Sequence, residues 1–133
     1  MSKLRERIRR EQGFTLIELL IVLVILGILL AIAVPAYLGF KDKANSRAAE
    51  ADIRAAIPSA EAYYESNNTY KNMTPALLKN IDAGLSSHVG VATASTNAYC
   101  LTATVGGKSW AVHGPGATAW YKNTTCSGAQ SSP

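Results

Sequence analysis

The longest apolar stretch of the chain runs from Phe14 to Val34 and is interrupted only by Thr15 and Glu18. As an α-helix, this stretch would rise about 30 Å at roughly 1.5 Å per residue, which is close to the hydrocarbon thickness of a bilayer. The pattern therefore predicts a hydrophobic transmembrane helix over residues 14–35. Gly27 and Pro35 are expected to break or kink it, because proline removes one backbone hydrogen bond.

A second helical pattern, amphipathic this time, follows over residues 36–66. Apolar residues recur at spacings of three and four and predict one buried stripe: Tyr37, Phe40, Ala44, Ala48, Ala51 and Ala55, widened by Ile53, Ile57, Ala60 and Tyr64. Charged residues, among them Glu50, Asp52 and Glu61, are expected to face elsewhere. The two patterns are contiguous and predict one helix of about 50 residues. Pro58 leaves open whether that helix continues to its end.

Residues 67–133 show the signals of a small head. Thr74 before Pro75 predicts a short helix over about 75–83 that stops at Gly84. The following segment, HVGVATASTNA, is interpreted as a loop.

Three segments with strand character come next: AYCLTATV, KSWAVH and ATAWYK. The glycine-rich turns between them predict a three-stranded antiparallel meander. Its apolar face, from Tyr99 to Val105 in alternation, is available to the long helix. The predicted fold class is therefore α+β, with a long N-terminal helix packed on a small antiparallel β-sheet.

The formal net charge of +4 is unevenly distributed. Residues 1–13 hold five bases (Lys3, Arg5, Arg7, Arg9 and Arg10) against two acids, whereas the remainder is nearly neutral. A basic tail before an apolar run is typical of a membrane protein with a cytoplasmic N-terminus, rather than of a nucleic-acid partner. Everything after the helix then lies outside, where Cys100 and Cys126 are expected to form a disulfide. Closing that loop would stabilise the fold by about 3.5 kcal/mol.

A secretory signal peptide is disfavoured, because the apolar run is too long and lacks a convincing small-residue cleavage site. An uncleaved signal anchor would explain the charge asymmetry and the apolar run. It would not explain the order of Gly13, Phe14 and Glu18.

The stretch GFTLIELLIVLVILGILLAIAVPAYLGF closely resembles the N-terminus of type IV prepilins and the related pseudopilins. The match comprises the charged leader, the apolar run and five motif positions: Gly13, Phe14, Thr15, Leu16 and Glu18, followed by Pro35. The resemblance implies that a prepilin peptidase removes residues 1–13 by cutting after Gly13, and that Phe14 is then N-methylated. It also implies that the helix is retained in the membrane until an assembly platform adds the subunit to a filament.

Glu18 is unusual within an apolar segment, since a charged side chain at the bilayer centre costs roughly 2.5–3.5 kcal/mol and less near the interface. The helix dipole favours an acid in the first turn by about 0.3–1 kcal/mol, which explains tolerance but not a requirement. The resemblance implies a specific role: Glu18 of an incoming subunit pairs with the Phe14 amine of a neighbour, which cleavage creates. It further implies that the helix loosens between Gly27 and Pro35 when subunits pack.

Neither a catalytic nor a metal site is predicted, and no cofactor is expected. His88 and His113 lack the spacing of metal ligands, and no serine lies in a nucleophile-elbow sequence. The aromatic residues near Lys108 and Lys122, namely Tyr99, Trp110, Trp120 and Tyr121, are interpreted as core and cross-strand pairs. A nucleic-acid partner is therefore not supported.

These observations favour a structural protein rather than an enzyme. The main hypothesis is a type IV pilus subunit, made as a single-pass precursor in the inner membrane and polymerised into an extracellular fibre for motility, adhesion or DNA uptake. The alternative is a pseudopilin of a type II secretion or competence system. Resemblance favours the pilin, since a C-terminal disulfide-bounded region is common in pilins and rarer in major pseudopilins. A third hypothesis is an uncleaved, membrane-anchored binding domain.

Overall fold

The computed structural model describes Lys3 and residues 13–133. Its elements are helices α1 (Leu16–Asn67) and α2 (Pro75–Ile81) and strands β1 (Val89–Ala94), β2 (Tyr99–Val105), β3 (Lys108–Gly114) and β4 (Ala119–Tyr121). The chain divides into two compact units, an N-terminal unit (Met1–Gly39) and a second unit (Phe40–Pro133), which we call the head. The predicted α+β fold class is confirmed. Most of the predicted leader, residues 1–13, lies outside the described residues.

Helix α1 is continuous over 52 residues and passes through Gly27, Pro35 and Pro58. A proline removes only one N–H donor, and the turns on either side keep their own hydrogen bonds, so the helix continues. In the single chain, the helix therefore does not end at Gly27 or at Pro35, where a break or kink was expected. The helix ends where Asn68 adopts a left-handed conformation (φ 59°), a common helix C-terminus.

The buried face of α1 within the head differs from the predicted stripe. It consists of Ala49, Ile53, Ala56, Ala60 and Tyr63, which follow spacings of four and three. Of the predicted stripe, Tyr37, Phe40, Ala44, Ala51 and Ala55 are exposed, so the first part of that prediction was wrong. Alanines occur on every side of this helix, and their spacing alone does not identify the face that packs.

The sheet has four antiparallel strands in the order β1-β2-β3-β4, so the predicted three-stranded meander was wrong by one strand. The missing strand is β1, which lies in the segment interpreted as a loop. Its small, weakly apolar sequence gives little alternation, and pairing with β2 decides its conformation. The register shifts between Val91 and Thr93, as in a β-bulge. The other three strands are present as predicted.

The core forms between α1 and one face of the sheet. Leu101, Ala103 and Val112 are fully buried there against Ile53 and its neighbours. Gly114 allows a close approach, because a Cβ at this position would collide with the ring of Tyr99. The short helix is also present, as Pro75–Ile81, with Thr74 Oγ1 accepting the Leu77 N–H at 3.3 Å.

Candidate functional site

The N-terminal candidate site consists of Gly13, Phe14, Thr15 and Glu18. Gly13, Phe14 and Thr15 precede the first residue of α1, Leu16, and all of them are exposed. The Phe14 side chain is 87% exposed. Phe14 and Glu18 line one open concavity with Leu19, Ile21 and Val22. Phe14 and Glu18, which the resemblance assigns to a contact between subunits, therefore line the same concavity of a single chain.

Thr15 and Glu18 form a capping box at the start of α1. The Thr15 N–H donates to Glu18 Oε2 at 3.3 Å, and the Glu18 N–H donates to Thr15 Oγ1 at 3.2 Å. Both donors belong to the first turn, where no intrahelical acceptor exists. The sequence signal for this box is the T-x-x-E spacing of Thr15 and Glu18. Glu18 thus has a local role in capping α1, in which its carboxylate bonds to the backbone of Thr15.

The apolar side chains of the N-terminal unit are exposed along the whole of its helix. The large apolar side chains from Leu16 to Leu38 are each between 49% and 87% exposed. By length and composition α1 qualifies as a membrane-crossing helix. Such a surface needs lipid or other apolar helices as its environment, because its exposure to water is strongly unfavourable.

In the head, Cys100 and Cys126 form the predicted disulfide. Cys100 lies on the outer face of the sheet in a second, small apolar cluster with Ala111 and Tyr121. The bridge fastens the C-terminal segment to β2, and the Ser131 N–H donates to the Trp120 carbonyl at 2.8 Å. The segment after β4 is therefore held against the sheet at two points.

Glu61 joins α1 to the rest of the head, although the sequence predicted that it would face elsewhere. Its carboxylate accepts hydrogen bonds from the hydroxyls of Tyr70 at 2.8 Å and Tyr99 at 3.0 Å. Burial, followed by these bonds to the Glu61 carboxylate, raises the pKa of Tyr70 to about 12 and raises that of Tyr99 as well. Nothing in the helical periodicity signals this cluster, since its members are brought together by the tertiary fold.

Glu50 is a second acid that the sequence placed on the outside and the structure buries. It is only 8% exposed, and its two oxygens accept from Arg47 and Arg54, each at 2.9 Å. The Arg54 guanidinium also lies 4.8 Å from the ring centroid of Trp120. The paired arginines make the burial of this carboxylate tolerable, because a buried charge without a partner is costly.

Asp52, Ser86 and His88 form a cluster that superficially suggests hydrolytic chemistry. Asp52 Oδ2 lies 2.9 Å from Ser86 Oγ and 3.3 Å from His88 Nδ1, and Ser86 Oγ lies 3.0 Å from the same ring nitrogen. In a catalytic triad the acid and the nucleophile lie at opposite nitrogens of the imidazole. This cluster therefore ties the loop before β1 to α1. Within the described part of the chain, no group of His, Cys, Asp and Glu side chains is arranged to hold a metal ion.

Comparisons with known proteins agree with the N-terminal motif and extend beyond it. Residues 8–34 match the family model described as the prokaryotic N-terminal methylation motif. The chain is 35% identical over 127 residues to the type IV wide pilus major component PilA4 of Thermus thermophilus, which covers 92% of this chain and 95% of the relative.

Two further relatives match over part of their length. The type II secretion system core protein G of Aeromonas hydrophila is 41% identical over 75 residues, or 56% of this chain and 50% of that protein. The type IV major pilin protein PilA of Myxococcus xanthus is 35% identical over 63 residues, or 47% of this chain and 29% of that protein. Similarity along almost the whole chain is thus seen with a pilus component.

Proposed function

The chain belongs to the type IV pilin family, and we propose that it is a structural subunit that leaves the membrane to polymerise into a pilus. The observation that carries this proposal is the apolar surface of the N-terminal unit, which is exposed along the described residues of its helix. Lipid satisfies such a surface before assembly, and the helices of neighbouring subunits satisfy it afterwards. The function is therefore assembly rather than catalysis.

The proposal includes processing of the N-terminus. A prepilin peptidase would cut between Gly13 and Phe14, and a methyltransferase activity would modify the new Phe14 amine. Both residues are exposed and precede α1, which supports access by an enzyme. The match to the methylation motif over residues 8–34 includes both positions.

Cleavage would also change the role of Glu18. In the uncut chain its carboxylate accepts the Thr15 N–H at 3.3 Å, an exposed and rather long hydrogen bond. After cleavage a charged amine at Phe14 becomes available, and a carboxylate gains more from a charged donor than from a neutral one. We propose that the Phe14 amine of a neighbouring subunit replaces this capping contact, so that one ion pair sets the register of the filament. Loosening of α1 between Gly27 and Pro35 during packing is a further part of the proposal.

The proposed topology follows from the charge distribution. The five bases of residues 1–13 favour a cytoplasmic N-terminus, which places the head and its disulfide outside. The mature subunit would then be part of an extracellular pilus used for motility, adhesion or DNA uptake.

A second candidate function is that of a pseudopilin in a type II secretion system. The observation that favours it is the 41% identity over 75 residues to a core protein of such a system. The disulfide and the nearly full-length similarity to a pilus component favour the pilin. Long surface fibres under the electron microscope would support the pilin, whereas short periplasmic structures alone would support the pseudopilin.

Mass spectrometry of the N-terminus of sheared surface material tests the proposal. We expect a chain that starts at a methylated Phe14. The matched control is Gly13→Val, in which a branched side chain beside the cleaved bond should leave the leader attached and abolish fibres. Surface material that begins at Met1 would instead indicate an uncleaved, anchored domain.

A further inference from the structure

An open groove on the head is lined in part by Trp110. Two adjoining cavities of about 360 and 300 Å³ share Ser46, Trp110 and Lys122 in their walls. The Trp110 Nε1–H donates to Ser46 Oγ at 2.8 Å, and Lys122 Nζ lies 5.4 Å from the centroid of the indole ring. Trp110 of β3 is therefore held by Ser46 of α1, and the ammonium group of Lys122, just after β4, lies over its ring.

Three more cations line the same groove: Lys43, Arg47 and Lys108. The C-terminal segment also lines it, through Ser132 and Pro133, and no ion pair joins that segment to Lys43 or Lys122 among the described residues. We call the set Lys43, Ser46, Arg47, Lys108, Trp110 and Lys122 the basic groove. Two of its cations are already neutralised, because Arg47 lies 2.9 Å from Glu50 and Lys108 lies 3.2 Å from Asp42. Lys43 and Lys122 have no carboxylate partner among the residues that the structure describes.

This charge balance indicates the size of the anion that fits. Nucleic acids and other polyanions are bound by runs of uncompensated cations that each neutralise one phosphate. Here only Lys43 and Lys122 remain uncompensated, and Asp42 lies in an ion pair beside them. The groove is therefore better matched to a single carboxylate than to a charged polymer.

The head carries an exposed carboxylate, that of Glu65, which bonds to no described residue of the same chain. Glu65 lies near the end of α1, and it takes part in no hydrogen bond or ion pair with any described residue. An acid near a helix C-terminus is disfavoured by the macrodipole, and the last turn of α1 has no base to offset it. Glu61, one turn earlier, is by contrast bonded to two tyrosine hydroxyls. A cation from outside the chain would remove the unfavourable charge of Glu65.

The two features cannot meet within one copy. Lys43 and Glu65 lie on the same helix, and their offset of 22 positions corresponds to a separation of roughly 33 Å. Copies that repeat in one orientation contact each other through different patches, so that one patch of each copy meets the other patch of the next. A filament of this chain provides that arrangement.

We propose that, in the filament, Lys43 and Lys122 in the basic groove of one head bind the Glu65 carboxylate of a neighbouring copy. The inference rests on the proposed pilus function and adds a contact between heads to the proposed contact between Glu18 and Phe14. The indole of Trp110 shields the ion pair from water on one side, which strengthens it relative to an exposed pair.

A charge-reversal cycle in the full chain tests this contact. Lys122→Glu and Glu65→Lys are each expected to lower the yield of sheared pili at least about fivefold, because each places like charges together at the contact. The double variant, Lys122→Glu with Glu65→Lys, restores opposite charges and is expected to return the yield to within about twofold of the unaltered chain. Yield is normalised to the amount of membrane-held subunit. Lys71→Glu, an exposed lysine outside the groove with the same change in charge, is the control and should assemble normally.

Single variants that assemble normally, or a double variant no better than either single one, would overturn the contact. If the unaltered chain forms no fibres, the proposed pilus function fails instead, and the two failures are therefore distinguishable. Normal fibres of Lys122→Glu that have lost binding to heparin or DNA would replace the contact with an external polyanion.

A second measurement does not depend on how well the variants fold. Carbodiimide joins lysines to carboxylates only when they touch, so fibres of the unaltered chain should yield a peptide that links Lys43 or Lys122 to Glu65. A linked Lys43–Glu65 peptide has to come from two copies, given their separation along α1. Fibres that yield other lysine–carboxylate links but none to Glu65 would contradict the proposal.

Discussion

Ile25 and Ile53 have the same side chain and belong to the same helix, but their surroundings differ completely. Ile25, in the N-terminal unit, is 51% exposed, whereas Ile53, in the head, is fully buried. Burying an isoleucine fully is worth about 1.5–3 kcal/mol, so the two residues mark a satisfied and an unsatisfied part of α1. The head has completed its folding within the chain, and the N-terminal unit completes its burial only with lipid or with other subunits.

The charged residues show the same contrast. Glu50 and Glu61 in the head each have two partners from the same chain. Among the residues that the structure describes, Glu18 bonds only to Thr15, in the exposed cap of α1. An acid with internal partners contributes to the fold, and an acid with so few is available for a partner outside the chain. Each prediction below tests this division between the two units.

The largest effect is expected for Glu18→Ala, which should lower the yield of surface fibres at least about tenfold, because it would remove the proposed ion pair with the Phe14 amine of a neighbouring subunit in an apolar environment. Insertion and cleavage should continue, because neither requires the carboxylate. Sheared fibres and the membrane-held subunit are compared by immunoblotting. Thr15→Val is the matched control: it removes the Thr15 hydroxyl from the capping box, keeps the carboxylate and should assemble within about twofold of normal. Normal fibre yield from Glu18→Ala would show that Glu18 acts only as a helix cap.

A smaller effect distinguishes the two isoleucines. Ile53→Ala should lower the free energy of unfolding of the head by about 2–5 kcal/mol, because it leaves a cavity in a fully buried site. Ile25→Ala should change it by less than about 0.5 kcal/mol, because the side chain contributes nothing to the head. Denaturant unfolding of the detergent-solubilised full chain is followed by tryptophan fluorescence, which reports on the head alone since Trp110 and Trp120 both lie there. A similar loss in both variants would contradict the division into two units.

The smallest effect concerns the tyrosine hydroxyls at Glu61. The pKa of Tyr70 is raised from 10.0 to about 12 in the folded chain, so the unfolded chain releases this proton first as the pH rises. The stabilisation is fully present below pH 10 and is lost as the pH rises from 10 toward 12. Unfolding of the head, measured from pH 9 to about pH 11.5, should therefore show declining stability. In Tyr70→Phe the decline should be shallower, because one of the titrating hydroxyls is gone. An unchanged slope would mean that Tyr70 does not titrate differently in the folded head.

The sequence predicted the long helix, three of the four strands and the disulfide because each has a local signal. The apolar run from Leu19 to Val34 and the alternating side chains between glycine turns are short-range signals, and the disulfide follows by elimination because the chain has a single pair of cysteines. Strand β1 has no comparable signal, since VGVATA is small and only weakly apolar, and its conformation follows from pairing with β2. The buried face of α1 was missed for a similar reason, because alanine fits both a packed and an exposed face.

The sequence by itself determined that the chain carries a membrane-compatible helix, a pilin-like cleavage and methylation motif and a head with one disulfide. The helix and the disulfide depend on composition and on the positions of residues along the chain, whereas the motif rests on the resemblance to type IV prepilins. Only the tertiary structure decided that Glu61 bonds two tyrosines, that Glu50 is buried between two arginines and that Glu65 has no partner among the described residues. All three are acids on one helix; Glu50 and Glu61 were both expected to face away from the apolar stripe, and the sequence makes no prediction for Glu65. What separates them is which strand or loop, distant in the chain, lies opposite each one after folding.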